Sequence, residues 1–155
     1  MIIVDTREKE RAIVKILAEF ERQGVAYVRQ KLDFADYADP ERLPGIVIDR
    51  KQNMAEICGN VVQDRRRFVR EIERCNAAGC HLVVLIEHGG KIRTLEDVIG
   101  WKNPRLNVSP LAVSGERLYK IMVAMGSHYG IEWAFCAKQQ TGKRIIEILK
   151  GDHKT

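Results

Sequence analysis

The sequence predicts an α/β domain in which a central mixed β-sheet is flanked by helices. Short apolar runs typical of buried strands alternate along the chain with stretches whose apolar residues recur at helical spacing. One of these runs, His81–Glu87, is apolar on both faces, as a central strand covered by helices should be. Because 155 residues suffice for one core, and no linker or repeat interrupts them, we interpret residues 1–155 as a single domain.

The elements follow from local patterns taken in chain order. Glycines at 24, 79 and 130 supply helix stop signals, and Asn53 with Glu56 three positions later has the form of an N-terminal capping box. The patterns predict strands at 2–5, within 25–38, at 45–51, at 81–87 and at 131–136. They predict helices at 8–23, at 53–79, at 94–99, from 114 or 115 to 130, and at 141–149.

Composition narrows the class of protein. A net charge of +5 favours a polyanionic partner such as a nucleic acid, although many basic proteins bind none. No apolar run reaches membrane-spanning length, so we expect no membrane association. The four cysteines are scattered without a Cys-x-x-Cys pair, which suits a reducing compartment, and we expect a cytoplasmic protein.

The strand at 45–51 ends in Asp49, Arg50 and Lys51, immediately before a helix start. Side chains alternate faces along a strand, so Asp49 and Lys51 should point the same way and Arg50 the other. A carboxylate can hold a divalent cation for phosphodiester cleavage, while an ammonium orients the attacking water or neutralises charge on the phosphate. Such a pair is also typical of a solvated strand end, so its meaning depends on what else converges there.

Asp36 precedes this strand by a turn-sized gap. If the two segments form a hairpin, Asp36 and Asp49 meet face to face. Two carboxylates at such a short distance repel each other unless a cation lies between them. Hard oxygen ligands of this kind suit Mg²⁺ or Mn²⁺. The alternative is that Asp33, Asp36 and Asp39 are solvated turn residues.

A third acidic segment lies where the opening strand ends, with Asp5, Arg7 and Glu8. Strand ends are where ligands bind in open α/β sheets. Acidic residues also favour the positive end of a helix, so this segment alone supports either interpretation. Together, however, the three segments supply acids and a lysine from successive strands of one small sheet.

These residues resemble those of a known family. Val4-Asp-Thr-Arg-Glu8, then Asp36-Tyr37, then Asp49-Arg-Lys51 before a helix is similar to the nuclease domain of the XPF/MUS/Hef endonucleases, a branch of the PD-(D/E)xK superfamily with the signature Gly-Asp…Glu-Arg-Lys-x-x-x-Asp. The resemblance covers roughly residues 1–90 and implies a restriction-endonuclease-like fold. The remainder resembles compact single-domain relatives from phage and prophage genomes, and we expect no helix-hairpin-helix domain.

The resemblance also implies roles for individual residues. Asp36 takes the place of the signature's first Asp, Asp49 that of its Glu, and Arg50 with Lys51 that of its Arg-Lys. The implied metal ligands, for Mg²⁺ or Mn²⁺, are Asp36, Asp49 and Asp5. Lys51 would position the hydrolytic water. The remaining implied site residues, which would orient phosphate or the ligands themselves, are Arg7, Glu8 and Arg50.

Three positions depart from the family pattern. Ala35 stands where the signature has Gly, and Asp49 stands where it has Glu, which shortens the carboxylate's reach by one methylene. Ala55 occupies the position of the signature's last Asp, and Glu56 follows it. One position turns a helical side chain by about 100°, so whether Glu56 substitutes for that Asp is left open.

Arginines on the predicted long helix form a candidate DNA-binding ridge. Four of them fall opposite the apolar stripe, at spacings of three to four, where they could contact phosphates: Arg66, Arg67, Arg70 and Arg74. The candidate DNA-binding residues are Arg65, Arg66, Arg67 and Arg70. Acidic residues lie among them, so a salt-bridged solvated face is the alternative.

The predicted function is that of a divalent-metal-dependent endonuclease acting on branched or structured DNA. One alternative is a Holliday-junction resolvase of the same superfamily, and another is a catalytically silent DNA-binding subunit. The region from Trp101 to Met125 is rich in apolar residues, which predicts either core or a homodimer surface. A helper protein could equally contribute to DNA recognition.

Overall fold

The computed structural model of the chain describes residues 1–88 and 90–151. The strands are β1 (Ile2–Val4), β2 (Tyr27–Arg29), β3 (Tyr37–Ala38), β4 (Ile46–Lys51), β5 (His81–Glu87) and β6 (Glu132–Cys136). The α-helices are α1 (Val14–Arg22), α2 (Met54–Val62), α3 (Arg65–Ala77), α4 (Gly115–Tyr129) and α5 (Thr141–Lys150). Short 3₁₀ turns are interspersed at Glu10–Ala12, Pro40–Arg42, Glu96–Gly100, Pro104–Asn107 and Lys138–Gln140. The last positions of the predicted domain, 152–155, lie outside the described residues.

The strands form one six-stranded sheet in the order β2-β1-β3-β4-β5-β6. β3 is antiparallel to both of its neighbours, whereas β4, β5 and β6 run parallel, as do β1 and β2. The predicted mixed sheet flanked by helices is therefore confirmed. β5 lies between β4 and β6 and six of its seven residues are buried, as its apolar sequence requires.

The helices cover both faces of the sheet. On one face α1 and α5 pack on a core that includes Phe20, Ile48 and Ile145. The other core is formed by α2, α3 and α4 and includes Val47 and Phe68. Because Val47 and Ile48 alternate between the two cores, Asp49 and Lys51 face the α2–α3 side and Arg50 faces the α1–α5 side. This alternation separates the polar end of β4 into two environments.

Three predicted helices differ in the structure, and the one predicted over 94–99 is the 3₁₀ turn Glu96–Gly100. The helix predicted over 8–23 begins only at Val14, after the 3₁₀ turn, and ends at Arg22. The single helix predicted over 53–79 is two helices. The amides of Gln63 and Asp64 both donate to the carbonyl of Gly59, which closes α2, and the Asp64 carbonyl then accepts the first bond of α3.

The apolar region between Trp101 and Met125 is divided between core and surface. Trp101, Leu118, Met122 and Met125 are buried. The exposed apolar side chains between residues 99 and 123 are Ile99, Leu106, Val108, Leu111 and Val123. Among the described residues, none of the helices has the length and apolarity needed to cross a lipid bilayer. The four cysteines are free thiols.

Candidate active site

The β3–β4 hairpin brings Asp36 and Asp49 together. Tyr37 pairs with Ile48, so the residues one position outward face each other across the strands. The Asp36 amide donates to the Ile48 carbonyl at 2.7 Å, and the Arg50 amide donates to Asp36 Oδ2 at 2.8 Å. The two carboxyl groups are then close enough to form a hydrogen bond when one of them holds a proton. The predicted meeting of these acids is confirmed.

The pair is electrostatically strained. Burial, and then the neighbouring Asp49 carboxylate, raise the pKa of Asp36 well above its ordinary value. Asp49 is only 4% exposed, and its Oδ2 atom has no hydrogen-bond partner among the described residues. Lys51 Nζ lies 3.1 Å from that oxygen and forms an ion pair with it. Carboxylates that are crowded, buried and under-satisfied in this way need an additional positive partner.

Lys51 is held in place by the protein. It is 8% exposed, and its ammonium lies 5.4 Å from the centre of the Phe68 ring. Burial disfavours the charged form, but the adjoining Asp49 carboxylate outweighs that effect, so the pKa of Lys51 is raised. The side chain is therefore a fixed cation beside the acidic pair.

This donor set suits a hard divalent cation. Asp36 and Asp49 offer carboxylate oxygens, one of them orphaned, which is the chemistry that Mg²⁺ and Mn²⁺ prefer. Within residues 1–88 and 90–151, however, no group of three or more acidic, histidine or cysteine side chains could hold a metal ion by itself. Water, a backbone carbonyl or a substrate phosphate would have to complete the coordination, which is common for Mg²⁺.

Asp5 lies at the end of β1 and is bound by its neighbours. It is fully buried, and its Oδ2 atom accepts from the Arg7 side chain at 2.6 Å while Oδ1 accepts from the Leu32 amide at 2.8 Å. Burial alone would raise the pKa of Asp5, but these hydrogen bonds outweigh it and the net pKa is lowered. Arg7 is 59% exposed and also donates to the Leu32 carbonyl. In the structure Asp5 therefore binds the Arg7 side chain. Ligation of a metal ion by Asp5 stays a prediction.

Glu8 and Arg50 meet on the opposite side of β4 from Asp49. Arg50 donates to both carboxylate oxygens of Glu8, at 2.6 and 3.1 Å, and to Glu87 at the end of β5. Tyr37 donates its hydroxyl proton to Glu8 at 2.6 Å. The Arg50 side chain is 4% exposed. Arg50 contacts the acidic pair through its backbone amide, which donates to Asp36.

Glu56 and Ala55 lie in the first turn of α2. Asn53 accepts from the Glu56 amide at 2.8 Å, as the predicted capping box requires, but the Glu56 side chain returns to the Gln52 amide rather than to that of Asn53. Both Ala55 and Glu56 are exposed. The Glu56 carboxylate contributes to raising the pKa of Lys51, so it lies near the rim of the acidic site.

Sequence reasoning missed Glu71, which it grouped with the charges of a solvated face. Glu71 is half-buried on α3, and its Oε1 atom accepts from the Ala35 amide at 3.2 Å, across 36 residues of sequence. Burial, and then Asp49, raise the pKa of Glu71. Its position one helical turn from the buried Phe68 and Cys75 is the signal that could have identified it.

Ala35, directly before Asp36, has the left-handed backbone conformation, with φ of 67°. This conformation costs a non-glycine residue roughly 1–2 kcal/mol. Such strain persists where surrounding contacts enforce it, and it is concentrated at functional sites. Ala35 is 1% exposed, so its neighbours can supply those contacts.

The candidate DNA-binding arginines lie on α3. All of them are exposed, and they line an open cavity of about 800 Å³ between α3 and Tyr129. The members of this arginine surface are Arg65, Arg66, Arg67 and Arg70. Glu71 projects from the same helix toward the β3 turn, so α3 carries both the arginine surface and a flank of the acidic site.

The mixed six-stranded sheet flanked by helices is the α/β fold of an XPF-type nuclease domain. The chain belongs to the ERCC4 domain family, whose model matches residues 4–147. Among solved structures it is similar to XPF from Aeropyrum pernix (TM-score 0.65, 20% identity), covering 96% of this chain and 59% of that chain. The chain is likewise similar to XPF from Aeropyrum pernix in a complex with DNA (TM-score 0.66, 19% identity). That match covers 96% of this chain and 62% of that chain. No curated protein sequence matches it.

Proposed function

We propose that the chain is a divalent-metal-dependent endodeoxyribonuclease that hydrolyses phosphodiester bonds at branched or otherwise structured DNA. The observation that carries the proposal is the close pair of the half-buried Asp36 and the buried Asp49, with Lys51 in an ion pair with Asp49. Membership of the ERCC4 domain family supports the reaction class. The similar fold of an XPF that was solved in a complex with DNA supports the nature of the substrate.

Asp36 and Asp49 would hold Mg²⁺ or Mn²⁺, which would supply Lewis-acid stabilisation of the phosphate and lower the pKa of a bound water. Lys51 lies against Asp49, where its ammonium can orient the attacking water and offset negative charge developing on the phosphate. Asp5 holds Arg7 with its guanidinium exposed, where it can contact a second phosphate. Glu8 and Arg50 support the strand ends from the opposite face.

The arginine surface on α3 would supply contacts to the DNA backbone. Its four side chains are exposed on one surface, and guanidinium groups bind phosphates in bidentate geometry. Phosphate contacts position a duplex without reading its sequence, which suits an enzyme that recognises DNA shape. A second copy of the chain or a helper protein would extend this surface, and exposed apolar residues such as Val108 and Leu111 support such an association.

The test is cleavage of labelled flaps, forks, four-way junctions and linear duplex, with and without Mg²⁺ or Mn²⁺. We expect metal-dependent cleavage of at least one branched substrate and loss of cleavage in the Asp36→Asn, Asp49→Asn double variant. Asp33→Asn is the matched control, because Asp33 is exposed in the same turn. Selective cutting of four-way junctions would identify a junction resolvase, and full activity in the double variant would refute the proposal.

Thermal unfolding separates an enzyme from a silent subunit. A cation that binds only the folded state at ten times its Kd adds about 1.4 kcal/mol, which raises the melting temperature by roughly 3–6 °C. We expect this shift with millimolar Mn²⁺ in the wild type and its loss in the double variant. No shift in the wild type, together with DNA binding and no cleavage, would support the silent subunit.

A further inference from the structure

Glu71 reaches from α3 to the turn that precedes β3. Its Oε1 atom accepts the amide proton of Ala35, 36 residues away in the sequence. Within the described part of the chain, the other carboxylate oxygen of Glu71 forms no hydrogen bond with Asp5, Glu8 or Asp36. The helix that carries Glu71 is anchored by the buried side chains on either side of it, Phe68 and Ile72. The acceptor is therefore presented by a rigid element.

The donor of this hydrogen bond is an unusual residue. Ala35 has a φ of 67°, which an alanine adopts only when neighbouring groups enforce it. The peptide unit whose amide Glu71 binds belongs to this strained residue, and the next residue is Asp36. Asp36 is fixed on its other side by the Ile48 carbonyl and the Arg50 amide. Glu71 thus completes the set of contacts that determine where the Asp36 carboxylate points.

Glu71 also lies within the electrostatic field of the acidic site. Burial, and then the Asp49 carboxylate, raise the pKa of Glu71, and the Lys51 ammonium acts in the opposite direction. Yet no three acidic side chains among the described residues are close enough to share a metal ion, so the site does not use Glu71 as a third direct ligand in this arrangement. The geometry favours an action through the backbone.

We propose that Glu71 is a positioning residue of the nuclease site, which holds Asp36 against Asp49 by binding the amide of the strained Ala35. This inference rests on the proposed function, because it concerns the geometry of the metal-binding pair. A group that orients a metal ligand affects metal affinity without touching the metal, and removing such a group typically weakens binding by about 10- to 100-fold.

Two substitutions separate positioning from charge. Glu71→Gln keeps an oxygen that can accept the Ala35 amide and removes the negative charge, whereas Glu71→Ala removes both. We expect Glu71→Ala to weaken Mn²⁺ binding, measured by titration calorimetry, by about tenfold or more. Glu71→Gln should stay within about threefold of the wild type. Glu147→Ala is the control, because Glu147 is a helical glutamate in an exposed ion pair on α5.

Hydrogen exchange supplies a second measurement that needs no metal. In the metal-free protein we expect the Ala35 amide to exchange faster in Glu71→Ala, and to keep its protection in Glu71→Gln. The effect of Glu71→Ala on Mn²⁺ affinity should be smaller in an Ala35→Gly background, because glycine adopts positive φ without strain. That background also provides a test should Glu71→Ala alone unfold.

The outcomes discriminate between the two proposals. A wild-type protein that binds no Mn²⁺ and cuts no DNA would overturn the proposed function and, with it, the role of Glu71 in that site. If the wild type binds and cuts, unchanged Mn²⁺ affinity in Glu71→Ala would overturn the positioning role alone. Equal losses in Glu71→Ala and Glu71→Gln would also overturn it, because the charge rather than the hydrogen bond would then be required.

Discussion

Replacement of Arg50 by methionine tests whether this arginine stabilises the fold or acts in the chemistry. The Arg50 guanidinium is 4% exposed and lies between Glu8 and Glu87, whose side chains are 10% and 4% exposed. Removing one partner from a buried ionic network leaves uncompensated charge, which costs about 3–5 kcal/mol. For a chain of this size that corresponds to a fall of roughly 6–20 °C in melting temperature. We therefore expect Arg50→Met to be destabilised to this extent.

The assay is urea unfolding followed by circular dichroism at pH 7. Arg22→Met is the matched control, since Arg22 is 69% exposed and its ion pair with Glu19 lies on the surface. We expect that control to unfold at nearly the same urea concentration as the wild type, because exposed ion pairs contribute little to stability.

Arg50→Met should lower the stability of the fold without weakening Mn²⁺ binding. The backbone amide of Arg50 still donates to Asp36 in the variant, so the folded fraction should bind Mn²⁺ with nearly wild-type affinity. A variant as stable as Arg22→Met but devoid of cleavage would refute this reasoning. Arg50 would then have to act on the substrate rather than on the fold.

Two further predictions concern charge elsewhere in the chain. Burial alone would raise the pKa of Asp39, but hydrogen bonds from Lys150 and a backbone amide outweigh it and lower the pKa. Asp39→Asn should therefore cost roughly 1–2 kcal/mol at pH 7, and urea unfolding at decreasing pH should show that cost disappear as the pH falls through the folded-state pKa. A cost that is constant with pH would contradict the assignment. Replacing both Arg66 and Arg67 by Gln should weaken DNA binding and reduce the slope of log K against log salt concentration by about 2, whereas Arg22→Gln should leave it unchanged. An unchanged slope in the double variant would mean that these arginines only keep the surface soluble.

The meeting of Asp36 and Asp49 could be predicted from the sequence because it depends on two local properties. Alternation along a strand determines which side chains share a face, and a turn of suitable length allows the hairpin. The same alternation separated Lys51 from Arg50. These rules operate within about fifteen residues, which is the separation of Asp36 from Lys51, and they do not need the rest of the fold.

Other features depend on contacts that no local pattern encodes. The interval between Val61 and Phe68 matches a continuous helix, so the apolar stripe conceals the break between α2 and α3. The contact between Glu71 and Ala35 depends on how α3 lies against the β3 turn. The hydrogen bond that the Leu32 amide donates to Asp5 depends on the path of the chain at Leu32, which brings this amide to the carboxylate. Tertiary packing decides all three.

The division of β4 between two faces has a consequence for how this domain can change. If the proposed function holds, substitutions around Glu8, Arg50 and Glu87 should change the stability of the fold, and those around Asp49 should change catalysis, so the two properties could be adjusted largely independently. An inserted or deleted residue within β4 would exchange the occupants of the two sides. It would bury an acid beside Glu8 and Glu87 and turn the arginine toward Asp36, so the spacing of this strand is less tolerant of change than its composition.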